Sequence, residues 1–509
     1  MNAFRADALD LPLIPFPAHL EEHEGRCRLA AGCRVDGDGD AAGLLAPWLA
    51  AALTGAAAEG IAAIRLIADP TRADLGDEGC ELVLAPDAAL AVARDQRGLR
   101  HAAQILRQLL AACGHDLPAC EIRDRPRFAW RGLMLDVARH VHGPGDVCRL
   151  LDLMALHRLN IFHWHLTDDQ GWRLPVPSRP RLTTVGAWRS QTKVGHYHHA
   201  PAGYDGRPYG GSYSAADIRR VVAHAARLGI TVVPEIDLPG HMQAAIAAYP
   251  ELGNGLHAPA VRETWGVSTQ ILNCSPAAFA FVEEVLTEVL ALFPSPWIHL
   301  GGDEVPLDEW RESPAARAEA TRRGCGVDGL QHVWTSHCAA WLAARGRRLV
   351  GWDEIHERSG AALPVGSTVM AWRDEKHGVA AAQAGFDVVM APVRPTYLDY
   401  AQRVDERLEG DTIAPGTAHT LEDCAAWEPL PAALRGTPAA ARVLGGQCQV
   451  WTEYIATRDR LDHMAFPRAC ALAEALWTPT ARRSVPGFLA RLAGHRRLLD
   501  RLGVRCRAG

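Results

Sequence analysis

"NIFHWHLTDD" (160–169) is a strand-length apolar run that breaks abruptly into two acids. Its aromatic and β-branched residues favour extended backbone, and the Thr-Asp-Asp end favours a turn. The same grammar recurs in "GLMLDVARH" (132–140), "TVVPEID" (231–237), "WIHLGGDE" (297–304) and "RLVGWDE" (348–354). It returns in "STVMAWR" (367–373), "DVVMAPVRPTYLD" (387–399) and "VLGGQCQVWTE" (443–453). Helix-period stretches lie between many of these runs: "DVCRLLDLMALHRL" (146–159), "SAADIRRVVAHAARLG" (214–229) and "AAFAFVEEVLTEVLALF" (277–293). The first opens after Gly145 and the second at Ser214, each with an acid in its first turn, as helix starts do. Strands alternating with helices in this way predict an α/β fold, a (β/α)8 TIM barrel, whose chemistry gathers at the strand ends.

A smaller unit precedes the barrel. "IAAIRLIAD" (61–69) and "CELVLAP" (80–86) read as strands, and Leu99, Ala103, Leu106 and Leu110 recur at helical spacing within 97–112. The expected organisation is a small α+β supporting domain over residues 1–122. The barrel catalytic domain over 123–509 includes a C-terminal helical segment. The charged, proline-containing "IRDRPRFAWRG" (122–132) is the joint.

Bulk properties narrow the function classes. Charged residues make up 22% and hydrophobic ones 48% of the 509 residues, the balance of a soluble globular protein. A net charge of −6 gives no support to a nucleic-acid or anionic-membrane partner. "MNAFRADALDLPLIPFPAHLEEHEG" (1–25) has no basic segment leading into an unbroken apolar stretch, so no secretion signal is expected. Thirteen cysteines, an odd number without a C-x-x-C pair, fit reduced thiols in a cytoplasmic protein.

The strand ends assemble Arg139, His140, Asp168, Asp169, Trp172, Glu235, Asp237, His241, Asp303, Glu304, Trp352, Asp353, Glu354, Tyr397, Asp399, Trp451 and Glu453. Carboxylates, one arginine and many indoles suit a neutral polyhydroxylated ring, whose C–H faces stack on tryptophan and whose hydroxyls want charged partners. No phosphate-cradling G-x-x-x-x-G-K-[ST] loop is present. His163 and His165 share a strand face, where a hydrogen-bonded core pair is the commoner outcome than metal ligation. No metal and no cofactor are expected. "HYHH" (196–199) belongs to a surface insertion. Asp303 and Glu304 are adjacent, which is awkward for a glycosidase needing two carboxyls across one bond.

Seven ordered motifs remove that difficulty. "RGLMLDVARH", "LNIFHWHLTDDQGWR", "GITVVPEIDLPGH", "HLGGDE", "GWDE", "YLD" and "WTE" resemble the β-N-acetylhexosaminidases of glycoside hydrolase family 20, over about residues 126–480. The resemblance implies exo-acting, retaining removal of terminal β-linked N-acetylglucosamine or N-acetylgalactosamine. In that mechanism the substrate's own acetamide oxygen attacks the anomeric carbon and forms an oxazolinium, an exception to the two-carboxylate rule. It makes Glu304 the general acid/base, Asp303 the partner orienting the acetamide, and Tyr397 the donor to the acetamide oxygen. Arg139, Asp399 and Glu453 would bind ring hydroxyls, and Trp334, Trp352 and Trp451 would wall the pocket. Asp168 and His241 would stand behind Glu304. Glu235 and Asp237 are mainly structural on this reading, and Trp372, Arg373 and Trp427 are rim contacts.

Two other functions stay open at this level. One is a retaining glycosidase whose nucleophile is Glu354 or Glu453, and the other is a sugar-binding barrel without activity. The partner expected is a small glycoside or oligosaccharide, with no nucleic acid and no membrane, and a homodimer is allowed. The leaving group, the gluco or galacto preference and the role of the histidine-rich loop 190–212 are not written in the sequence.

Overall fold

The computed structural model describes residues 11–37, 39–196, 203–256, 260–403 and 416–507. Five strands build the first unit: β1 (His19–Asp36), β2 (Ile61–Ala68), β3 (Cys80–Ala85), β4 (Ala88–Ala93) and β5 (Asp116–Asp124). The sheet runs β1-β2-β4-β3-β5 and closes on itself, because the long β1 is antiparallel to β5 in its first half and parallel to β2 in its second. Helix α1 (Asp40–Ala52) and helix α2 (Gln96–Cys113) accompany it. Alternate residues of β3 and β4 are buried, as a half-covered sheet requires.

α2 begins at Asp95, whose carboxylate accepts from the Arg97 N–H. The spaced apolar residues Leu99, Ala103, Leu106 and Leu110 are buried, but so are Gln104, Arg107 and Gln108 on another face. That second face meets the rest of the chain. The Gln108 amide donates to Ile14 O at 2.8 Å and Leu156 O at 3.0 Å, and its oxygen accepts from Ile14 N.

The eight apolar runs become eight parallel strands. They are β6 (Trp130–Asp136), β7 (Ile161–His165), β8 (Thr231–Glu235), β9 (Trp297–His299), β10 (Arg348–Trp352), β11 (Thr368–Ala371), β12 (Asp387–Met390) and β13 (Val443–Val450). They pair in sequence order, and β13 pairs with β6 to close the barrel. Each strand is shorter than its apolar run because the polar residues at its end have left the ladder for loops. Helices α3 (Pro144–Leu156), α4 (Ala215–Leu228) and α5 (Pro276–Leu292) lie where the helical spacing predicts. α4 starts on a reciprocal cap between Ser214 and Asp217. Further along the chain come α6 (Leu330–Ala343), α7 (Glu375–Gln383), α8 (Arg468–Trp477) and α9 (Val485–Arg501).

The barrel interior is unusually polar. Ile161, Val233, Val350 and Val389 fill one part of it. His163, His165, Glu235, His299, Gln447 and Gln449 fill another and are fully buried. His163 and His165 face inward as a core pair. His163 Nδ1 accepts from the Gln447 amide at 2.9 Å, and Glu235 lies 2.9 Å from its Nε2 and also bonds His165.

A buried ion pair clamps the two units together. Arg158 Nη1 donates to Asp124 Oδ2 at 2.6 Å, and the Trp477 indole N–H donates to Asp124 Oδ1 at 2.9 Å. Removing one partner strands the other charge in a dry interface. Asp124→Ala is therefore expected to destabilise the protein by about 3–5 kcal/mol, read from the urea unfolding midpoint.

Candidate active site

The site forms where β9 stops. After His299 the chain turns through Gly301 (φ 61) and Gly302 (φ 90), and Glu304 itself adopts a left-handed φ of 49. A side chain at Gly301 would be driven into the Asp237 carboxylate, its Cβ 1.6 Å from Oδ1. The glycines thus permit a tight turn that ends strand alternation, so two adjacent acids serve one cavity. Asp303 is buried, while the Glu304 side chain keeps 42% of its surface exposed.

His241, also left-handed at φ 53, stands between them. Its Nε2 lies 3.7 Å from Asp303 Oδ2 and 3.7 Å from Glu304 Oε2. Its Nδ1 lies 3.1 Å from Asp168 Oδ1. Asp168 in turn takes Arg139 Nη2 at 2.7 Å and His165 Nε2 at 2.9 Å. Burial opposes a charge on His241, yet Asp168, Asp237 and Asp303 around it push the imidazole well above its usual range. Burial pushes the Asp303 carboxyl up to about 6, against His241 and together with Glu304.

Arg139 is nearly spoken for. Its Nε donates to Gln170 at 2.9 Å, its Nη1 to Asp136 at 3.3 Å, and its plane lies 5.0 Å from the Trp451 ring. Glu453 Oε1 is 3.8 Å from Nη1. A guanidinium has five donors, so some remain for a ligand. Burial raises the carboxyls of Asp399 and Glu453, and burial with Asp303 and Asp399 holds the Tyr397 phenol well above its usual range. Tyr397 therefore remains a hydrogen-bond donor at any working pH.

These groups enclose a cavity of about 300 Å³ lined by Arg139, Asp168, His241, Asp303, Glu304, Tyr397, Asp399, Trp451 and Glu453. Nine residues expected from different strand ends thus converge. Asp303 Oδ1 and Asp399 Oδ1 are buried without a hydrogen-bond partner among the described residues. Buried acceptors of that kind are costly unless a ligand answers them.

Two expected walls need correction. Trp334 does not reach the cavity: it is fully buried on α6, stacked on Phe279 of α5 at 4.0 Å between ring centroids. The helical layer, not the barrel mouth, absorbs it. Trp352 is fully buried and is not among the lining residues; its ring lies 6.0 Å from that of Trp451, and its indole N–H donates to Glu235 Oε1 at 3.1 Å. The lining indole that replaces them is Trp372, expected only at the rim, which faces Tyr397 at 6.3 Å and 23°. Glu354 holds it by accepting its indole N–H at 2.9 Å. Trp265 and Val267 also line the cavity, from a loop with no strand-end signal, and Tyr400 and Tyr454 join them one residue beyond Asp399 and Glu453. Arg373 instead pairs with Asp353 and Glu357, and Trp427 packs over Gly446. Trp372→Ala is expected to raise KM about 10- to 100-fold, the equivalent of about 1.5–3 kcal/mol of aromatic burial. Trp334→Phe should leave KM alone and lower only the melting temperature.

The family model for the catalytic domain of glycosyl hydrolase family 20 matches residues 128–480, and that family's domain 2 matches residues 10–125. The chain belongs to glycosyl hydrolase family 20. A β-hexosaminidase of Vibrio furnissii is 37% identical over 478 residues, covering 92% of this chain and 76% of the relative. One from Akkermansia muciniphila is 34% identical, with 86% of each chain covered. The exo-β-N-acetylglucosaminidase of Vibrio harveyi, solved with N-acetylglucosamine, superposes with a TM-score of 0.85 at 34% identity. That alignment covers 98% of this chain and 78% of the other.

As a member of family 20 the chain is a glycosidase of the β-hexosaminidase class, with a carbohydrate substrate. No helix among the described residues is long and apolar enough to cross a membrane. Of the histidine-rich insertion, residues 197–202 lie outside the described residues. His196 stacks on Tyr454 at 5.7 Å and 13°, beside the cavity.

Proposed function

We propose that Glu304 is the general acid/base and Asp303 the acetamide-orienting residue of an exo-acting, retaining β-N-acetylhexosaminidase. The observation that carries this reading is the convergence of both acids, through one left-handed turn, on a cavity that Tyr397 closes. Glu304 keeps an open face toward the space where a leaving group departs, so it protonates the glycosidic oxygen. Asp303, buried against His241, accepts the acetamide N–H and balances the positive charge of the cyclic intermediate. Tyr397 donates to the acetamide oxygen and holds it at the anomeric carbon. Arg139, Asp399 and Glu453 bind the ring hydroxyls, and Trp372 and Trp451 wall the sugar. Asp168 and His241 position the acid pair.

Glu354 fits less well as a carboxylate nucleophile. Glu354 does not line the cavity, and burial with Asp303 and Asp353 pushes its carboxyl up to about 8, which leaves it protonated at neutral pH. A pair of aryl glycosides that differ only at C2 tests the reading. The 2-acetamido sugar should turn over at least about 1,000-fold faster than the 2-hydroxy sugar, since the internal nucleophile is missing from the latter. Equal rates would reject substrate assistance. We also propose a cytoplasmic setting, supported by thirteen cysteines that are all free thiols.

A further inference from the structure

Far along the chain from the catalytic acids, the end of α3 meets α8 and α9. His157 follows the last turn of α3, Cys470 lies on α8 and His495 on α9, and all three are buried. His157 Nδ1 lies 2.7 Å from Leu153 O, and His495 Nδ1 lies 3.0 Å from Pro12 O. A carbonyl oxygen only accepts, so both Nδ1 atoms carry the proton. Both neutral rings therefore present a bare Nε2 lone pair, and those two nitrogens face each other at 2.9 Å. Cys470 Sγ completes the cluster 3.2 Å from His157 Nε2.

Two lone pairs at that distance repel unless a cation lies between them. A proton would make one ring an imidazolium. Both rings are buried, and among the described residues no carboxylate bonds either of them, so no counter-charge answers a proton there. A metal ion meets the requirement in another way. It accepts both lone pairs and displaces the Cys470 thiol proton to solvent, and the thiolate left behind cancels one positive charge. The carbonyls behind each Nδ1 supply the outer partners that fix ligating imidazoles.

We infer that His157, His495 and Cys470 form a buried site for a thiophilic d10 cation, zinc or cuprous copper. The three donor atoms lie within 4.8 Å of one another. Bond lengths of about 2.0 Å to nitrogen and 2.3 Å to sulfur set the ligand atoms roughly 3.3–3.6 Å apart at tetrahedral angles. Loading the site thus spreads the cluster by a few tenths of an ångström, through three helices that carry one ligand each. A small cavity lined by Pro12, Gln108, Gly494 and Leu498 opens beside His495 and offers an approach. The site would pin the N-terminal segment and the last helix to the barrel, a structural role separate from hydrolysis.

The test uses the full chain, reduced and stripped with a chelator. Cadmium stands in for zinc, and its thiolate charge-transfer band is read as titrant is added. Cuprous ion is offered separately under reductant against a chromogenic chelator. Because twelve other thiols are present, each titration is compared with Cys470→Ser and His495→Gln. The expected result is one tight equivalent in the wild type in one arm or both. Either variant should weaken that equivalent by more than about 100-fold, beyond the loss typical of an outer partner. Turnover by Cys470→Ser should stay within about twofold of wild type, since the thiol touches no part of the catalytic cavity. No tight equivalent in either arm, or the same equivalent in both variants, would overturn the proposal.

Discussion

Glu304→Gln is expected to lower kcat by about 100- to 10,000-fold while leaving product affinity within a few-fold of wild type. Glutamine keeps the shape and the hydrogen-bonding oxygen of the side chain but has no proton to deliver. The left-handed turn at Glu304 depends on backbone torsions and the two preceding glycines, not on the carboxyl, so the variant keeps the cavity intact. The loss should scale with leaving-group basicity. A nitrophenyl-type leaving group needs little protonation and should retain far more rate than a sugar alcohol. Steady-state kinetics on both classes checks this, and a wild-type kcat on a disaccharide would remove Glu304 from the role.

Asp303→Asn is expected to cost on the order of 100- to 1,000-fold in kcat, the scale of removing one preorganised electrostatic partner. It should also reshape the pH profile. Burial has pushed the Asp303 carboxyl up to about 6, against the pull of His241. The ionised form is the one that balances the positive intermediate. Activity should therefore be present above about pH 6 and fall away as the pH drops through it. The asparagine variant should lose that acidic limb along with its rate. A variant that kept the limb would place the titration on another group of the cluster and deny Asp303 its part.

The barrel was legible because its information is local. Each strand is a short apolar run that ends in polar residues, and that pattern survives whatever the loops do. The convergence of Arg139, Asp168, His241, Asp303, Tyr397 and Glu453 was legible for the same reason, since a closed parallel barrel brings every strand end to one mouth. Trp334 shows where the reasoning fails. On a helix, the face that a residue presents depends on which neighbour packs against it. There Phe279 offered Trp334 a better partner than the sugar pocket. Trp265 and Val267 lie on a loop without periodicity, so no repeat marked them in advance.

The sequence by itself determined the eight strands of the barrel, the order of the acids and the chemistry their residue types can support, though only two of the five strands of the first unit. Only the tertiary structure decided which tryptophans wall the cavity, and that His241 stands between Asp303 and Glu304. It also brought the bare nitrogens of His157 and His495 face to face beside Cys470. The physical reason is the range of the forces involved. Strand and helix preferences act between near neighbours in the chain and can be read there. Pocket walls, shared protons and converging lone pairs depend on distances of a few ångströms between segments hundreds of residues apart, and only packing sets those.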